Sequence, residues 1–171
     1  MKKLVTILVL AIPTIVFGQT DKQYQTFVYE SNLPDEVATF YEDKIKINYS
    51  LRTDLNPFYL RGDFDGDKKQ DYAISIVERK SDKKGILIFH TGTKNHYIVG
   101  AGQPLKNGNG GDDYNWMDAW TVYVDKEVEV GVGETDKITL KGEAILAIKV
   151  ESASGLIYWT GNEYKWYQQG D

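Results

Sequence analysis

The chain has no cysteine, so no disulfide braces it and no thiolate can act as nucleophile or metal ligand. Histidine is almost as scarce, with only His90 and His96. A zinc centre normally takes three or four nitrogen or sulfur ligands, and neither histidine stands in a recognisable hydrolase constellation. Both flank strand-like runs, where surface or edge positions are expected. Phosphate-cradling loops, nucleophile elbows and dinucleotide fingerprints are missing too. Positive charge is in deficit, the formal net charge being −5, so nothing draws the chain to nucleic acid or anionic lipid. What is plentiful is apolar and aromatic surface, 42% and 13% of residues, enough for a core without covalent bracing.

The N-terminus carries a legible address. Met1-Lys2-Lys3 is basic, Leu4 to Phe17 is nearly all apolar, and the small residues Val16 and Gly18 precede Gln19. That three-part pattern predicts a secretory signal peptide over residues 1–18. The apolar run is shorter than the roughly 20 residues that span hydrocarbon, and Pro13 interrupts it. An exported chain, periplasmic or secreted, with no membrane span after cleavage is therefore expected. Residues 19–171 suit one β-rich domain.

Residues 19–32 are polar around Phe27-Val28-Tyr29 and read as a flexible lead-in or a first edge strand. Pro34, then Asp35 and Glu36, with Val37, Phe40 and Tyr41 at helical spacing, predict one short N-terminal helix over about 34–44. From residue 57 the pattern is β. Strands are expected at 58–60, 72–77, 85–90, 96–99, 120–124, 127–131, 138–141 and 144–150, followed by a hairpin of 155–159 with 163–167. Residues 100–115 form a long Gly- and Asn-rich loop. The fold class is mainly β, an antiparallel sheet or sandwich with a blade-like unit and one short N-terminal helix.

The densest chemistry lies in Gly62-Asp63-Phe64-Asp65-Gly66-Asp67-Lys68-Lys69-Gln70-Asp71, which runs into the apolar Tyr72-Ala73-Ile74. Aspartates at relative positions 1, 3, 5 and 9 repel one another, and a hard divalent cation relieves that repulsion. A solvated acidic turn is the plainer reading of the same residues. The EF-hand pattern fails, because Lys68 and Ile74 stand where it needs glycine and glutamate. The segment resembles the calcium loop of the FG-GAP and VCBS repeat families, which joins two strands of a propeller blade. That resemblance covers about 20 residues and implies calcium, in a structural role, held by the side chains of Asp63, Asp65, Asp67 and Asp71 and the carbonyl of Lys69. Family members usually carry glycine where Lys68 stands, at a left-handed position. With no second copy of the loop, one blade-like unit is expected, not a propeller.

Arg61-Gly62-Asp63 spells an adhesion tripeptide, but Asp63 is already claimed by the loop, and the match reads as accidental. The aromatic residues suit core pairing across strands, with Tyr114, Trp116 and Trp120 the set closest to a recognition surface. No catalytic residue is singled out. The expected role is that of a non-enzymatic domain contacting a protein or a cell-envelope polymer. The alternatives are a small secreted hydrolase using paired carboxylates and a carbohydrate-binding module.

Overall fold

The computed structural model describes residues 21–105 and 110–170. The expected signal peptide lies outside the described residues, as does the 106–109 part of the long loop. Two antiparallel sheets pack face to face. The first contains β1 (Tyr49–Leu51), β2 (Tyr59–Gly62), β3 (Asp71–Glu78), β4 (Lys84–His90) and β5 (Asn95–Gly100). The second contains β6 (Ala119–Tyr123), β7 (Ala144–Lys149), β8 (Ala153–Trp159) and β9 (Tyr164–Gly170). β1 and β2 share one side of β3, β1 pairing with Ile76–Glu78 and β2 with Asp71–Ile74. Strands β2–β5 and β6–β9 are thus two four-stranded meanders, and the fold is a β-sandwich.

Strand alternation builds the layers. Ile86 and Ile88 of β4 face the second sheet, where they join Ile145, Ala147, Ile157 and Trp166 in the inter-sheet core. Leu87 and Phe89 point the opposite way, into a layer with Val37, Tyr41 and Ile45. β4 is buried on both faces, which is why it reads as an unbroken apolar run in sequence. A third cluster, Val128, Leu140, Leu156 and Tyr167, covers the outer face of the second sheet.

Three expectations are corrected. Of residues 19–32, expected as a lead-in or edge strand, the stretch Asp21–Ser31 forms helix α1. It docks through Tyr29, whose ring meets Phe58 edge-on at 4.7 Å and whose hydroxyl donates to the Thr53 carbonyl. Its last turn is satisfied by Ser31 and Asn32 donating to the carbonyls of Phe27 and Val28. The helix expected at 34–44 is α2 (Asp35–Phe40) followed by one π turn (Tyr41–Ile45), in which the Lys46 amide reaches the Tyr41 carbonyl at 2.9 Å. That wider turn brings both Tyr41 and Ile45 to the buried face. The expected strands at 127–131 and 138–141 reduce to a single bridge, Glu127 with Thr139. Val128 and Leu140 are buried and Ile138 is partly so, but Val130 and Val132 are exposed, so each segment has a single fully buried anchor.

Candidate metal centre

The aspartate loop joins β2 to β3, as its flanks predict. Phe64, between the first two aspartates, is fully buried in the inter-sheet core and pins the loop inward. Each aspartate then closes a local turn. Asp63 Oδ1 accepts from the Gly66 amide (2.8 Å), Asp65 Oδ1 from the Asp67 amide (3.0 Å) and Asp67 Oδ1 from the Lys69 amide (2.8 Å). Gly66 has φ +83°, and Lys68 has φ +68°, the left-handed conformation that its position demands.

The second sheet finishes the seat. The Asp63 amide donates to Glu143 Oε2 at 2.8 Å, and the Glu143 amide donates to the Asp63 carbonyl at 2.6 Å. A Cβ at Gly142 would strike that carbonyl, and one at Gly66 would strike the backbone of Lys141. In the turn after β4, Gly92 lies against the Asp67 carboxylate, which a side chain there would push aside. At Gly142 and Gly66 the obstacle is fixed backbone, so glycine is needed for approach.

One carboxylate oxygen from each of Asp63, Asp65 and Asp67 can be chosen so that the three lie within 4.8 Å of one another. Asp71 falls in a second group, with Asp65 and His90, within the same spacing. It is fully buried, and its Oδ2 and Oδ1 accept from the amides of Phe64 (3.0 Å) and Thr91 (2.9 Å). Burial pushes its carboxyl up to about 6, against the lowering effect of those amides. Asp71 therefore clasps the loop to the turn after β4. Lys69 is exposed, with its amide on Asp67 and its Nζ 3.7 Å from Asp67 Oδ2.

His90 is the residue that the sequence misplaced. Expected at a surface or edge, it is 1% exposed and faces the loop. Its Nδ1 is 3.3 Å from Asp65 Oδ2, and its Nε2 is 2.6 Å from the Tyr164 hydroxyl. Burial lowers its pKa, opposed by Asp65, Asp67 and Asp63. An ionised Asp65 can only accept, so the neutral ring suits it best with the proton on Nδ1 and Nε2 accepting from Tyr164. In that tautomer His90 orients Asp65. The clue in the sequence was position, His90 closing the run Gly85 to His90 of β4, which is buried throughout.

The residues fit a hard cation. Three carboxylates set this close, each with an oxygen already spent on a backbone amide, leave further oxygen lone pairs for an ion. The aromatic residues near the long loop are less available than expected. Tyr114 and Trp120 are core residues, 0% and 3% exposed, and the Trp120 indole donates to the Pro57 carbonyl. Trp116 is partly buried against Trp166 and donates to the Gly110 carbonyl. In the adhesion tripeptide, Arg61 lies over Tyr59 while Asp63 turns into the loop. No family model, curated protein or solved structure matches the chain.

Proposed function

We propose that this is an exported, non-enzymatic recognition domain whose aspartate loop binds calcium in a structural role. The observation that carries the reading is the convergence of the Asp63, Asp65 and Asp67 carboxylates at one point of the loop. An ion there would relieve their repulsion and stiffen a loop held by both sheets, through Glu143 on one and Thr91 on the other. Its partner is a protein or a cell-envelope polymer met at the loop end of the sandwich.

Thermal melting in calcium and in chelator tests the ion. With calcium at about 100 times Kd the gain is about 2.7 kcal/mol, or about 5–10 °C for a domain this size. The double variant Asp65→Asn, Asp67→Asn should melt cooperatively and lose the shift. Equal melting temperatures for the unsubstituted chain in both buffers would sink the calcium reading.

A further inference from the structure

Beside the aspartate loop, the turn after β4 and the β8–β9 turn leave a cavity of about 420 Å³ between the ends of the two sheets. Its volume lies in the range of small-molecule sites. Two kinds of wall meet in it. One is aromatic, made by Tyr97 and Trp159 over the buried ring of His90. The other is polar, made by Asp65, Asp67, Asn95 and Asn162. Asn95 and Asn162 are exposed, whereas Tyr97 and Trp159 are half-buried, so the aromatic surface lies deeper than the amides.

We propose that this cavity binds a neutral saccharide, one sugar ring resting on the Trp159–Tyr97 surface with its hydroxyls toward the carboxylates and amides. A sugar ring has the matching split character, an apolar C–H face and a rim of hydroxyls that both donate and accept. Carboxylates accept from hydroxyls, and asparagine side chains donate and accept, so the polar wall satisfies both functions. The arrangement of the rings argues against an organic cation. Tyr97 and Trp159 have centroids 4.8 Å apart with planes tilted by 55°, so the rings pack on each other and do not stand apart as the opposed walls of a cage. Tyr164 closes the rear, 5.0 Å from Trp159 and bonded to His90. The rings are therefore held in place before any ligand arrives, which lowers the ordering cost of binding.

The site gives the recognition reading a ligand class and rests on that reading, but it does not require the ion. Asp65 and Asp67 would meet hydroxyls directly or through calcium.

The test uses the full chain and a panel of methyl glycosides of glucose, galactose, mannose and N-acetylglucosamine, with their β-linked disaccharides. Binding is followed by saturation-transfer NMR and tryptophan fluorescence, in calcium and in chelator. At least one saccharide should receive saturation at its ring protons. Trp159→Ala should weaken that binding about tenfold or more. Because Trp159 also packs on His90, Asn95→Ala serves as the variant at an exposed position. It should weaken binding severalfold at an unchanged melting temperature. Absence of binding to every sugar in both buffers by the folded chain would overturn the proposal. So would binding that neither variant alters, or displacement of the sugar signal by tetramethylammonium at matched concentration. A calcium-dependent melting shift without sugar binding removes the saccharide site alone. Sugar binding without any calcium shift removes the ion alone.

Discussion

Asp63 and Glu143, eighty positions apart in the chain, exchange hydrogen bonds in both directions: each donates its amide to the other, one to a side chain and one to a carbonyl. This pair ties the aspartate loop of the first sheet to the strand entry of the second. Glu143→Ala should therefore loosen the loop and leave both sheets intact. The expected loss is about 1–2 kcal/mol, seen as a lower denaturant midpoint at unchanged slope. Calcium affinity should fall in the same variant, by isothermal titration.

Gly142→Ala probes the same contact sterically. The new methyl would meet the Asp63 carbonyl and the Gly66 amide, both fixed backbone. Overpacking of this kind costs about 1–3 kcal/mol, and the calcium response should shrink with it. A melting temperature equal to that of the unsubstituted chain would mean that the loop has slack.

Lys68→Gly should act in the opposite direction. Lys68 is held at φ +68°, which a side chain disfavours by roughly 1 kcal/mol. Glycine removes that strain, partly offset by its greater freedom in the unfolded chain. A gain of about 0.5 kcal/mol is expected in chelator, with tighter calcium binding once a local positive charge is gone. Chemical denaturation and calcium titration measure the two effects separately.

Arg52 is a buried cation, 4% exposed, with its guanidinium donating to the carbonyls of Tyr114 and Met117 and to Asp54. It fastens the 3-10 turn Tyr114–Trp116 to the first sheet. Arg52→Met removes the donor to the Met117 carbonyl and one of the two donors to the Tyr114 carbonyl, which keeps the Met117 amide, and a loss of about 2–4 kcal/mol is expected. Calcium binding should persist, since the turn lies away from the aspartate loop.

Acid should uncover Asp54. Burial alone would raise its pKa, but hydrogen bonds from Lys84 and Arg52 prevail and hold it at about 2. A carboxylate lowered in the folded state stabilises fully above its unfolded value near 4, and that contribution fades as pH falls toward 2. Stability should drop across that window, and Asp54→Asn should flatten this part of the profile. Half of the Asp54 side chain is exposed, so the effect is modest.

Much of this architecture is legible along the chain. The apolar runs of Tyr72 to Val77 and Gly85 to His90 and the terminal hairpin each specify a strand through local pattern, and β3, β4, β8 and β9 stand where those runs lie. The order of aspartates and glycine places a tight loop between strands, down to the left-handed Lys68. Helix α1 was not legible, because its exposed Tyr24 and Phe27 obscure any apolar stripe and contacts such as those of Tyr29 with Thr53 and Glu30 with Lys46 are distant in sequence. The 127–141 segment misled for the converse reason: its β-branched residues suit a strand, but its two halves meet in only one bridge, Glu127 with Thr139, and form no continuous ladder.

The sequence by itself determined most of the sandwich's strands, though not β1, together with the loop and the carboxylates, since these follow from periodicity and from residues close together in the chain. Tertiary structure decided what the loop faces. Long-range packing brought His90, Glu143 and Trp159 around it, buried Asp71 as a clasp beside Asp65 and His90, and opened the cavity next to them. Contacts across such separations are fixed by how two sheets bury their apolar faces together, and no local pattern encodes that pairing.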